Sequence, residues 1–117
     1  MKVKNKKNLS RKYIITLFSL LTLLACSTIQ IGKDFKLQNF SSNAQLGKTS
    51  KEHVLEWLGK PMSTGVAQKE DGERLDEWGY FYGSGQLPNM ENTKLKTLQI
   101  RFDKEGIIRS YNWTGSK

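Results

Sequence analysis

The sequence predicts an α+β domain in which two short N-terminal helices pack on a three- to four-stranded antiparallel sheet. Three observations predict it. Apolar residues recur at helical spacing between Leu37 and Leu58. From Met62 onward the spacing changes to strict alternation, as in half-buried strands. The strands then follow one another with no helix between them, which gives hairpins against a helical layer rather than parallel crossovers.

The chain has 117 residues, and its first 25 read as a signal that precedes the domain. Residues 1–12, "MKVKNKKNLSRK", carry six positive charges and no acid, and residues 13–25, "YIITLFSLLTLLA", are apolar apart from Thr16, Ser19 and Thr22. That run is short for a membrane-spanning helix, which needs about 20 apolar residues. It ends in "LLAC", where Ala25 precedes Cys26, the chain's single cysteine. One cysteine forms no internal disulfide and no cysteine metal cluster.

Removing the signal changes the charge argument. The whole chain carries +8, but six of its 19 Lys and Arg lie before Ala25, so 13 remain against 11 acids, a charge near +2. The basic residues are those of a signal's n-region, and the reading is therefore of no nucleic-acid partner.

Residues 26–36 read as a tether, although Ile29, Ile31 and Phe35 packing onto the domain is an equal alternative. Within 37–46, Leu37, Phe40, Ala44 and Leu46, at spacings of three, four and two, mark a short helix. Thr49-Ser50-Lys51-Glu52 has the form of a T-x-x-E capping box, in which Thr49 caps the Glu52 N–H and the Glu52 carboxylate reaches back. Val54, Leu55 and Leu58 supply the apolar face of a helix over about 50–58, with Trp57 at its margin. Gly59 stops it and Pro61 prevents resumption. The Gly47-Lys48-Thr49 triplet has the ending of a phosphate loop, but the pattern needs a glycine where Ser42 stands. The triplet reads as a turn and cap, with no nucleotide bound.

"MSTGVAQ" (62–68) reads as a first strand and "KEDGE" as a turn. "LDEWGYFYG" (75–83) alternates, with Trp78, Tyr80 and Tyr82 on one face and Gly79 and Phe81 on the other. Residues 83–93, "GSGQLPNMENT", read as a mobile loop. "KLKTLQIRF" sets Leu98, Ile100 and Phe102 against Thr97, Gln99 and Arg101. After a "DKEG" turn, "IIRSYNW" sets Ile108, Ser110 and Asn112 against Ile107, Arg109, Tyr111 and Trp113.

No catalytic constellation emerges from these residues. His53 is the only histidine and reads as a solvated helix residue beside Glu52 and Glu56. The acids Glu70, Asp71, Glu73, Asp76 and Glu77 surround a turn without calcium-loop spacing, so the reading includes no metal and no cofactor. The three Trp, four Tyr and five Phe are generous for this chain; most must be core, and the aromatic side of 75–83 is expected to pack on the helices. A two-layer fold leaves the outer sheet face open, and Trp78, Tyr80, Phe81, Tyr82 and Leu87 are the candidates for a partner-binding surface there.

The "LLAC" site resembles the lipobox of bacterial lipoproteins. This implies cleavage between Ala25 and Cys26, and acylation of Cys26 that binds the chain to a lipid bilayer. "LGKTSKEHVLEWLGKP", the Trp78-Gly79-Tyr80 strand and "LKTLQIRFDKEGII" resemble the SmpA/OmlA, or BamE-like, outer-membrane lipoproteins, and the related fold of β-lactamase inhibitory protein. The resemblance spans about residues 45–111. It implies a non-catalytic accessory role in outer-membrane β-barrel assembly and envelope integrity, with proteins of the assembly complex as partners. Ser27 after the cysteine implies outer-membrane sorting, facing the periplasm, or the plasma membrane in a single-membrane host. In the accessory role the sheet face and the 83–93 loop would meet the partner; the competing reading is a stand-alone protein-binding or inhibitor module in which the 83–93 loop and outward aromatics dominate.

Overall fold

The computed structural model describes residues 13–15 and 27–115, so Ala25, Cys26 and most of the signal lie outside the described residues. The fold is α+β, with helices α1 (Leu37–Asn43) and α2 (Lys51–Leu58) on one face of an antiparallel sheet. The sheet has five strands rather than three or four: β1 (Thr28–Gly32), β2 (Ser63–Gln68), β3 (Arg74–Gln86), β4 (Glu91–Phe102) and β5 (Ile108–Gly115).

β3 organises the sheet, because its length lets two strands share one edge. β2 pairs with its first half, Ser63 opposite Gly79 through Gln68 opposite Arg74. β1 pairs with its second half, Thr28 opposite Gln86 through Gly32 opposite Tyr82. The other edge carries β4, which in turn carries β5. Two segments thereby depart from expectation. Residues 28–32 are a paired strand and Phe35 is buried, but Ile29 and Ile31, expected to pack with it in the alternative to a tether, are exposed. Residues 83–86 and 91–93 belong to β3 and β4, so the mobile loop contracts to a turn over 87–90, with a cis Leu87-Pro88 peptide.

The core lies between the helices and the inner sheet face. Phe40 from α1 and Val54 and Leu58 from α2 meet Tyr80, Tyr82, Leu98, Ile100, Phe102 and Ile108. Phe40 is fully buried, edge-on to Tyr111 at 5.0 Å and to Trp57 at 6.5 Å between ring centroids. Such pairs contribute about 0.5–1.5 kcal/mol beyond burial. Leu55, expected on the apolar face of α2, is exposed, while Trp57 packs against the core. Two lysines lie along the rim of the inner face. Lys51 bonds Asp76 at 2.6 Å and sits over Trp78, and Lys96 bonds Asp34 at 2.8 Å and sits over Tyr82.

The helix cap is displaced by one residue from the expected capping box. Ser50 is the N-cap of α2: its hydroxyl accepts the His53 N–H, and His53 Nδ1 accepts the Ser50 N–H. Thr49 is unavailable because it is buried and its Oγ1 already accepts the Gln45 N–H at 2.8 Å. Its carbonyl accepts the Ile108 N–H, joining the turn to β5. The Glu52 carboxylate lies at the same helix start, where its own N–H and the Ser50 hydroxyl hold its pKa below the ordinary range. His53 is exposed, but it is tied to Ser50 and stacked on Trp57 at 5.9 Å rather than merely solvated. Gly59 ends the helix at φ 77° and ψ −164°, a region open essentially to glycine alone. Its N–H bonds the Leu55 carbonyl, and the chain turns at Pro61 into β2.

β5 carries a bulge. Arg101 pairs with Ser110 but Phe102 pairs with Ile108, which leaves Arg109 as an extra residue. The bulge breaks the expected alternation. Ile108 shares the inner face with Tyr111 and Trp113, opposite Ile100 and Leu98, while Ser110 and Asn112 turn outward.

Candidate functional site

The outer sheet face is covered by no helix among the described residues. Side chains alternate across a strand, so the register fixes which residues it presents. Opposite Tyr80 and Tyr82 in phase, β3 contributes Glu77, Gly79, Phe81, Gly83 and Gly85. Their partners Arg101, Gln99, Thr97 and Leu95 on β4, and Ile31 and Ile29 on β1, share the face.

Glycine at three of these five β3 positions leaves a furrow in the backbone, which the chain's own side chains fill over Gly83 and Gly85, both buried. A Cβ at Gly79 would collide with the Ser63 hydroxyl. One at Gly83 would lie 3.3 Å from Leu95 Cδ2 and 3.5 Å from the Phe81 ring, and one at Gly85 would lie 2.6 Å from Met90 Cε. Glycine in a strand interior weakens the strand, and it marks sites where another group approaches the backbone closely. Beside Gly79 the furrow widens into an open concavity of about 560 Å³ bordered by Met62, Phe81, Thr97, Gln99 and Asn112.

The face has two chemical halves. Toward the β2–β3 turn, Glu77 accepts from Gln99 Nε2 at 2.7 Å and from Arg101 Nε at 2.9 Å, and Arg109 lies 3.7 Å from Glu73, so these charges are paired. The Thr97 and Thr114 hydroxyls bond each other at 2.6 Å. Toward the β3–β4 turn the face is apolar: Ile29, Ile31, Met90 and Leu95 are 40–56% exposed, with Phe81 half-buried beside them. Polar groups that satisfy one another next to exposed apolar surface suit recognition by shape and burial.

Of the five residues expected to form a partner surface, Trp78, Tyr80 and Tyr82 lie on the inner face. Tyr80 and Tyr82 are buried there. Tyr80 donates its hydroxyl to the Gly59 carbonyl at 2.8 Å, and burial pushes its pKa up to about 12. The reason for the difference is register: the aromatic side of β3 is the side on which α1 and α2 pack. Only Phe81 presents itself to the outer face, while Leu87 is half-buried in the hairpin turn. Gly47, Thr49, Glu52, Gly59 and Pro61 build the connections around α2 and do not reach this face; Gly47 donates its N–H to the Ile108 carbonyl.

Ile29, Ile31, Met90 and Leu95 are the surface residues that the sequence reading left out. The i, i+2 spacing of Ile29 and Ile31 is itself a strand signal, and the β4 alternation extends back from Thr97 to Leu95. Among the described residues, no group of three or more His, Cys, Asp or Glu side chains is placed to hold a metal ion, and no helix is long and apolar enough to cross a membrane. The chain matches no protein-family model and no curated protein.

Proposed function

We propose that this chain is a lipid-anchored envelope lipoprotein that acts without catalysis, as an accessory or scaffold in outer-membrane β-barrel assembly and envelope integrity. In this reading it has the helix-pair-and-sheet fold of the SmpA/OmlA, BamE-like family. Cys26 carries the lipid and the outer sheet face meets a protein of the assembly complex. The observation that carries the reading is the order of the N-terminal sequence: a basic segment, an apolar run of signal length and a lipobox cysteine, directly followed by a domain.

The outer face supports it as a docking surface, since apolar side chains border a backbone furrow and the ion pair beside it is already matched. Both readings draw on a loop at 83–93. Those residues are mostly paired strand, so the sheet face is the surface that either would use.

Purification of the native protein from membranes tests the proposal. Mass spectrometry of its N-terminus is expected to find a diacylglycerol on Cys26, and Cys26→Ala to release the protein from the membrane fraction. Barrel-assembly proteins are expected to co-purify with it. A clean purification containing none of them would sink the assembly role, whatever the state of the cysteine.

A further inference from the structure

The geometry points to the β3–β4 hairpin turn as the element that seats the domain on a lipid bilayer. This rests on the proposed acylation of Cys26. The Ser27 carbonyl accepts the Leu87 N–H at 2.8 Å, and Thr28 then pairs with Gln86. Cys26 is the next residue in the sequence. A lipid on Cys26 is therefore attached one residue from a position that is itself bonded to the hairpin turn. An interfacial element buries its apolar side by about 5–10 Å at the headgroup boundary. An anchor held this close brings the turn to that depth.

The chemistry of the turn fits the position. Leu87, Pro88, Asn89 and Met90 carry no charge, Pro88 is exposed and Met90 is 45% exposed. The nearest charges, Glu91 and Lys94, are of opposite sign. At the far end of β3, by contrast, the turn is built from Lys69, Glu70, Asp71 and Glu73, and Lys69 bonds Glu73 at 3.0 Å. The thirteen residues of β3 separate the two ends by roughly 40 Å at about 3.3 Å per residue. The domain is thus polarised along β3, apolar where the lipid attaches and charged where water lies. Seated this way, β3 stands away from the membrane and the outer face is open sideways to a partner.

The test uses full-length acylated protein reconstituted in phosphatidylcholine vesicles. The acylated Cys26 has no free thiol, so Asn89→Cys and Glu70→Cys each introduce one labelling site for an environment-sensitive fluorophore. The probe at position 89 is expected to shift to the blue and to be quenched by brominated lipid. Its quenching by aqueous iodide should fall several-fold below that of the probe at position 70. Because the turn is uncharged, high salt should leave the brominated-lipid quenching unchanged. Met90→Asp, added to Asn89→Cys, should restore iodide access, with circular dichroism confirming the fold. Equal iodide access at positions 89 and 70, with the lipid on Cys26 verified by mass spectrometry, would overturn the seating and leave the anchor reading intact. A Cys26 without lipid would overturn both.

Discussion

Gly32→Ala should detach β1 without unfolding the domain. Gly32 ends the strand at φ +76°, and a Cβ there would run into the Phe81 carbonyl. The left-handed conformation alone costs a residue with a side chain roughly 1–2 kcal/mol. The collision is with backbone, which cannot swing aside as a side-chain tip can, so the strand itself must shift. β1 has little with which to resist, since its five residues are all exposed and it pairs along one edge only. Release should stop just beyond Gly32. There Phe35 is buried, and Lys96 bonds both Asp34 and the Phe35 carbonyl. With each 1.4 kcal/mol worth tenfold, opening of β1 should increase by about tenfold or more. Hydrogen exchange reads this at the Leu87 amide, whose acceptor is the Ser27 carbonyl. Leu87 should lose that protection while Leu98 and Ile100 in the core of β4 keep theirs. Unchanged Leu87 exchange would refute the close approach at Gly32. Loss of protection at Leu98 and Ile100 as well would refute the independence of β1.

Four further variants probe the inner face, the start of α2 and the Lys96–Asp34 bond. Tyr80, with its pKa raised to about 12 from 10, is held neutral by burial, so its contribution is complete below pH 10 and is lost as the pH rises toward 12. That loss is on the order of 2–3 kcal/mol, and urea titrations across this range should show it in wild type but not in Tyr80→Phe. Ser50→Ala should cost about 1 kcal/mol as the loss of an N-cap. Thr49→Ala should cost about 1–3 kcal/mol by leaving the Gln45 N–H without its acceptor. A urea midpoint unmoved by Ser50→Ala would return the cap to Thr49. On the acid side, the hydrogen bond from Lys96 lowers the Asp34 pKa. Its stabilisation is present above pH 3.8 and fades as the pH falls through the lowered value, and Lys96→Met should remove that dependence from an acid titration.

The parts of the fold that were legible are those in which a local period reports burial. Leu37, Phe40 and Ala44 announced α1, and Leu98, Ile100 and Phe102 announced the inner face of β4. The strand containing Trp78, Tyr80 and Tyr82 was also correctly phased, with its aromatic side against the helices, which is why Trp78, Tyr80 and Tyr82 fail as candidates for a surface and Phe81 alone remains. The outer side of β3 is the one with almost no side chains. Composition hides such a face, because a furrow of Gly79, Gly83 and Gly85 registers as a weak strand and then as a loop. The bulge at Arg109 was equally silent, since one extra residue exchanges inner for outer without altering the residue types around it.

Of the two segments that looked irregular, 83–93 was misread as a loop and 26–36 was left open between tether and packing, for a single reason. Each has as its partner part of the other, Thr28–Gly32 against Tyr82–Gln86, across more than fifty residues of chain. Neither shows a strong pattern alone, because an edge strand exposed on both sides needs no alternation and a glycine-rich strand has few side chains to alternate. What joins them is backbone hydrogen bonding, which leaves no mark on residue type. The pairing bears on the proposed anchoring. Under that reading, a free segment of ten residues at about 3.3 Å each would let the domain roam some 30 Å from a lipid on Cys26. Ser27 is bonded to Leu87, so no such free segment runs from residue 27 to the sheet. A domain tied this close to a lipid would present its face at one height, which suits the proposed scaffold with a partner in the same membrane better than a module that must search the surrounding space for its target.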